Sequence, residues 1–255
     1  RALSWSWDST LRIWDLTTRE CLQVFEGHSS FVDGVLLLPD DRALSWSGVS
    51  PLRLWDLTTG KCIKVFEGHR SPVSGVSLLP DDRALSWSDD STLRLWDLTT
   101  GKCLQIFEGH SRGVKGVRVL TDKRILSWSD DSTLRLWDLA AFGEHLHCLD
   151  AHLSSEVKVY PLPDDRALSW SDDGALRLWD LTEGKCLLVF EGDSSGVEGV
   201  YILPDERILS WYKDKTLRLW NLSNGQCMQV FEGLGRPLLA DERILCWSWG
   251  DGTLR

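Results

Sequence analysis

The sequence predicts an all-β fold: four-stranded antiparallel sheets stacked as the blades of a seven-bladed β-propeller, with the first and last blades incomplete. The first observation is a repeat. The phrase Arg-Ala/Ile-Leu-Ser-Trp-Ser, then a short acidic turn, then Leu-Arg-Leu-Trp-Asp recurs with small variations, its opening Arg falling at 1, 42, 83, 124, 166, 207 and 243. Units of this length cannot bury their own apolar face and must stack on their neighbours. The second observation is period-two alternation in short runs divided by turn residues, with no helical period competing. The third is that these runs carry large apolar side chains on both faces. Such a sheet must be covered on both sides, and radial stacking achieves this.

Residues 73–110 stand for every unit. Val73–Leu79 reads as a first strand, closed by the turn Pro80-Asp81-Asp82. Arg83–Ser88 is a second strand with Leu85 and Trp87 on one face and Ala84, Ser86 and Ser88 on the other. Asp89-Asp90-Ser91 turns the chain, because Asp and Ser side chains bond back to the local backbone. Thr92–Trp96 is a third strand, with Leu93 and Leu95 opposite Trp96. Leu98–Lys102 is a loop, and Cys103–Phe107 a fourth strand running into Glu108-Gly109-His110. Seven second-strand Trp, at 5, 46, 87, 128, 170, 211 and 247, are expected to pack between blades; an aromatic ring around a channel is the other reading.

The chain opens at a second strand and stops inside a third, with a shortened first-strand candidate at 236–240. Blade one therefore lacks its first strand and blade seven its fourth. The expectation is a piece of a longer protein, one half-blade short of closure; the alternative is a ring closed as it stands with strained end blades.

Composition narrows the function. A net charge of −10 and a pI near 5.1 repel duplex DNA and anionic membranes. No run reaches the roughly 18 apolar residues of a membrane helix. Five of the seven Cys (Cys21, Cys62, Cys103, Cys186, Cys227) occupy one repeat position, too far apart to bridge. They read as small apolar residues in a reducing, cytoplasmic setting. No Cys-x-x-Cys occurs, and His145 with His147 lack a third ligand, so neither metal nor cofactor is expected.

The unit resembles the WD-repeat (WD40) β-propeller family. The resemblance rests on Gly68-His69, Pro80-Asp81, Asp90 placed six residues before Trp96, and Trp96-Asp97, with Trp-Asp or Trp-Asn pairs at 14/15, 55/56, 96/97, 137/138, 179/180 and 220/221. It implies a hydrogen-bonded network in each blade, here His69/Ser88/Asp90/Trp96, His110/Ser129/Asp131/Trp137 and His152/Ser171/Asp173/Trp179. These sets mimic a hydrolytic triad, but an indole only donates, and a Ser bonded to it is a buried bridge. Blade two has Val49 in place of the Asp, so its network should be broken. Blade six has Asp193 in place of the His, facing Asp214, and should be looser than blades three to five.

The same resemblance implies that partners bind the rim where first strands begin and second strands turn. Those positions include Trp7, Phe31, Asp33, Pro72, Ser74, Asp89, Lys115, Asp130, Val157, Asp172, Glu198 and Lys213. They vary while the framework barely does. Trp7, Phe31 and Pro72 would form an apolar sector, and Asp89, Asp130 and Asp172 an acidic arc around Lys115. The expected function is a non-catalytic scaffold or sensor for signalling, binding a protein or peptide and no nucleic acid or membrane. The alternative is a carbohydrate-binding or glycosidase-type propeller, because Ser171-Asp172-Asp173-Gly174 faintly resembles the Asp-box turn of sialidases.

Overall fold

Among the described residues, each alternating run becomes a strand in the computed structural model, which describes residues 1–48, 51–120, 123–140, 145–152, 156–192, 195–232, 237–240 and 243–246. Val49, Asp193 and Trp247, named above, lie outside the described residues. Sheet 1 holds Ala2–Trp5, Leu11–Trp14 and Cys21–Phe25; sheet 2 holds Val32–Leu38, Arg42–Ser47, Leu52–Asp56 and Cys62–Phe66. Sheet 3 holds Val73–Leu79, Arg83–Ser88, Leu93–Asp97 and Cys103–Phe107, and sheet 4 Val114–Val119, Arg124–Ser129, Thr133–Asp138 and His145–Asp150. Sheet 5 follows with Lys158–Leu162, Arg166–Trp170, Ala175–Asp180 and Lys185–Glu191, and sheet 6 with Val197–Leu203, Arg207–Tyr212, Leu217–Asn221 and Cys227–Phe231. Sheet 7 pairs Pro237–Ala240 with Arg243–Cys246, the former filling the shortened first-strand position. Strand order follows chain order in every sheet. No helix is long and apolar enough to cross a membrane among the described residues.

Local chemistry sets the turns. In the hairpin after the first strand, Asp81 and Asp82 both adopt left-handed backbone, φ 61° and 54°. Short Asp side chains tolerate that region, and two such residues in succession match the strand twist. The repeat reuses this turn at Asp40/Asp41, Asp164/Asp165 and Asp205/Glu206.

The second-strand Trp packs first against its own sheet. In the register, Gly34, Gly75, Gly116 and Gly199 stand opposite Trp46, Trp87, Trp128 and Trp211. A Cβ on these glycines would fall 2.1, 2.2, 2.0 and 2.1 Å from the indole. The ring therefore lies on a bare backbone that only glycine leaves open. Each of these glycines follows a β-bulge that turns the preceding residue (Asp33, Ser74, Lys115 or Glu198) out to solvent. Sheet 5 lacks both the glycine and the bulge: Lys158 stands opposite Trp170. Val157 is consequently buried at 4% exposure, which corrects its expected place on the rim.

Two compact units divide the chain: Arg1–Asp131 with Trp137–His145, and Ser132–Leu136 with Leu146–Arg255. Within the first, one cluster joins Leu11, Ile13 and Phe25 of sheet 1 to Val32 and Trp55 of sheet 2. A second joins Leu44, Leu52 and Phe66 of sheet 2 to Ala84 and Trp96 of sheet 3. A third joins Leu85, Leu93 and Phe107 of sheet 3 to Val114, Ile125 and Trp137. Within the second unit, Leu168, Leu176 and Phe190 of sheet 5 meet Val197, Ile208 and Trp220 of sheet 6. The pattern is constant: a third-strand Trp of one sheet meets the Leu/Phe face of the sheet before it, edge-on to Phe25, Phe66, Phe107 or Phe190 at 5.7–5.8 Å.

Candidate functional site

The polar framework ties each entrance loop to its own sheet. His69 Nδ1 lies 2.9 Å from the Asp90 carboxylate and its Nε2 lies 2.7 Å from Ser86 Oγ, which also accepts the Trp96 indole N–H at 2.8 Å. The same geometry joins His110, Asp131, Ser127 and Trp137, and again His152, Asp173, Ser169 and Trp179. The bridging serines are thus Ser86, Ser127 and Ser169, which corrects the assignment to Ser88, Ser129 and Ser171. The latter three sit two residues further along the same face, where their hydroxyls accept the backbone N–H of Asp90, Asp131 and Asp173 at 3.0–3.1 Å. Ser88 and Ser129 also donate to the carbonyls of Ser71 and Arg112. They hold the turn; the earlier serines hold the Trp.

A hydroxyl that accepts from the indole can donate to His Nε2, leaving Nδ1–H to donate to the carboxylate. Burial favours that neutral ring: it lowers His69, and it pushes His152 to about 4 against the opposing pull of Asp173. Burial raises Asp90, but hydrogen bonds from Thr92, the Arg70 amide and His69 outweigh it and bring the carboxyl to about 2. Asp173 is held low in the same way and also receives Arg177 at 2.9 Å. These carboxylates and imidazoles are committed to one another.

Sheet 2 departs from this pattern. His28 keeps its Ser45 bond at 2.6 Å and Trp55 donates to the same oxygen at 2.8 Å. His28 is 7% exposed, and its Nδ1 has no partner among the described residues. Burial, with the nearby Arg53 charge, pushes it to about 4. In sheet 6 Trp220 still donates to Ser210, and Asp214 accepts from the Thr216 amide and hydroxyl.

At the rim the sheets are tied differently from one another. Backbone bonds Asp89 N to Pro72 O, Asp130 N to Gly113 O and Lys213 N to Gly196 O place entrance loop and turn at the same end of each sheet. Trp7 (88% exposed) and Phe31 (44%) meet across sheets 1 and 2 with ring centroids 6.1 Å apart and planes tilted by 45°. Lys115 reaches both Asp89 and Asp130 at 3.0 Å, tying sheet 3 to sheet 4 and partly neutralising the two carboxylates. Lys213 binds Asp172 at 2.6 Å across sheets 5 and 6, and Lys158 donates to the Glu198 carbonyl at 3.1 Å.

Between sheets 2 and 3 no side-chain tie spans the rim among the described residues. Gly48 stands where Asp89 stands in sheet 3, and Ser74 turns its hydroxyl to Asp89 of its own sheet at 3.4 Å. A cleft of about 400 Å³ opens there, with Pro51, Leu52, Phe66, Pro72 and Val73 in its wall and Glu67, His69 and Arg70 among its polar lining. Burial raises the Asp33 carboxyl nearby, close to Gly48. The departure Gly48-Val49-Ser50-Pro51 from the acidic turn marks this place in the sequence. Nothing in the alternation signals Leu52 and Phe66 as its wall.

His147 Nε2 donates to the Thr182 carbonyl at 3.0 Å and packs on Gly184. Residues 60–97, 101–138 and 184–221 match the family model of the WD domain, G-beta repeat. A search of curated proteins returns no match.

Proposed function

Because this chain belongs to the WD-repeat family, whose repeats generally serve protein–protein association, we propose that it is a non-catalytic scaffold or sensor binding a protein or peptide at its rim. The cleft between Gly48 and Pro72, beside the exposed Trp7–Phe31 pair, carries the reading. Exposed aromatics next to an apolar cleft are the chemistry of an interface hot spot. Trp7, Phe31, Asp33, Pro72 and Ser74 form the binding sector, with Asp89, Lys115 and Asp130 as its polar continuation in the first unit; Asp172, Lys213 and Glu198 hold the matching positions of the second.

The stacking of sheets 1 to 4 in sequence, and of sheet 5 on sheet 6, supports a seven-bladed propeller as the frame. X-ray scattering in solution that fits an open superhelix better than a ring would overturn that frame. A reducing, cytoplasmic setting agrees with Cys21, Cys62, Cys103, Cys186 and Cys227, whose thiols each donate to the carbonyl two residues on. The acidic surface supports a partner other than nucleic acid or an anionic membrane.

The test is a peptide-display selection against the chain. A selected peptide should weaken about tenfold or more with Trp7→Ala or Phe31→Ala, because aromatic anchors carry about 2 kcal/mol or more of such contacts. Binding indifferent to both variants sinks the rim assignment. Recognition of a sugar on a glycan array at comparable affinity would favour a lectin instead.

A further inference from the structure

At the opposite end of the strands, sheets 2 and 3 are clamped. Arg42 donates both guanidinium nitrogens to Asp82, at 3.1 and 2.8 Å, and Thr99 Oγ1 bonds the same carboxylate. The repeat carries Arg83 into the matching place in sheet 3, but Lys123 takes the place of Asp82 in sheet 4. A cation then faces a cation. Arg83 folds back on its own turn, donating to Pro80 O at 3.3 Å and to the well-exposed Asp81 at 3.1 Å. Among the described residues it makes no bond to sheet 4, and the Lys123 ammonium has no acceptor.

The unclamped seam is open. A cleft of about 260 Å³ lies between the two sheets, walled by Leu79, Pro80, Val119, Leu120 and Leu139, with Arg83, Lys123 and Asp81 at its mouth. It lies wholly within the first unit. We propose that this cleft binds a small apolar carboxylate: the alkyl chain lies on the leucine and valine wall, and the carboxylate bridges Arg83 and Lys123. The ligand supplies the anion that Asp82 supplies one seam earlier. In a chain of net charge −10, Arg83 and Lys123 outnumber Asp81 at the mouth of this apolar slot, a local reversal of sign complementary to that one class of ligand. The volume suits a chain of about six carbons, given that a methylene occupies about 30 Å³, much as a water does in the liquid. This site is independent of the rim, and loss of rim binding leaves it intact.

Isothermal titration with hexanoate tests the proposal, with hexan-1-ol and hexylamine as controls. Hexanoate should bind with a Kd of about 1 mM, the range open to so few atoms, and more weakly as salt rises. Lys123→Asp should reduce binding about tenfold or more. It should also raise the Tm, because it restores the Arg–Asp clamp seen at Arg42 and Asp82. If that variant does not fold, Lys123→Gln and Arg83→Met must each still weaken hexanoate by about tenfold. Equal binding of hexan-1-ol, unchanged affinity in Lys123→Asp or Lys123→Gln, or no binding up to about 10 mM overturns the proposal. A leucine-terminated peptide binding about a hundredfold tighter than hexanoate would reassign the cleft to a protein C-terminus.

Discussion

Ser86 holds two buried groups at once. It accepts the Trp96 indole N–H and faces His69 Nε2, both at hydrogen-bond distance. Replacing it with Ala strands a donor and an acceptor inside the sheet, so Ser86→Ala should cost about 2–3 kcal/mol. Ser88→Ala, which loosens a turn amide and one carbonyl, should cost about 1 kcal/mol. Urea denaturation of the two variants checks the order; equal losses would contradict it. The sequence marks the face but not the residue, because Ala84, Ser86 and Ser88 all share it. Only the register, which sets Ala84 opposite Trp96 and Ser86 opposite Arg94, shows which hydroxyl the indole reaches.

Burial sets the pH response of His28. Its ordinary value of 6.5 falls to about 4 in the fold, where no acceptor meets Nδ1 among the described residues. Between those values the unfolded chain binds a proton that the folded chain refuses. Stability is therefore full above pH 6.5 and falls as pH drops toward 4. His152, also near 4, acts in the same window and direction. Asp90 contributes stability above its ordinary 3.8 that disappears as pH falls through about 2. Val49→Asp, which restores in sequence the carboxylate that Asp90 provides to His69, should shrink the stability loss between pH 7 and pH 5. An unchanged loss in urea melts at the two pH values would contradict this.

At the scale of the element, the glycine–tryptophan pair governs the first two strands. Gly75 has no positive φ, so it is needed for space and not for backbone freedom. Gly75→Ala places a methyl 2.2 Å from the Trp87 ring and should cost about 2 kcal/mol or more. In a Trp87→Ala background the same change should be neutral within about 0.5 kcal/mol, since nothing remains to collide with. Additive losses in the double variant would show that the pair is not coupled. The alternation of the strands was plain in the sequence, as were the Asp-Asp turns. The bulge was not: it needs glycine opposite Trp, and only the register at Lys158 and Trp170 explains why Val157 turns inward.

Across the whole molecule, stability is the sum of what each sheet contributes and what each seam contributes. The seams 1–2, 2–3, 3–4 and 5–6 share one apolar pattern, and they differ in their polar ties. Sheets 3 and 4 have Lys115 at the rim and lose the clamp at the other end; sheets 2 and 3 have the Arg42–Asp82 clamp and lose the rim tie. In each case the unclamped end is where a cleft opens. Ties of this exposure contribute about 0.2–1 kcal/mol each, so their absence costs little stability and leaves a place for ligands. Gly48→Asp with Ser74→Lys copies the Asp89–Lys115 pair into the open seam. The double variant should gain about 0.5 kcal/mol at low salt, lose that gain in about 1 M salt, and bind a rim-selected peptide about tenfold more weakly. Thermal melts at two salt concentrations, read beside the peptide titration, decide the matter: a stabilised chain that still binds its peptide would mean that the partner does not enter between sheets 2 and 3.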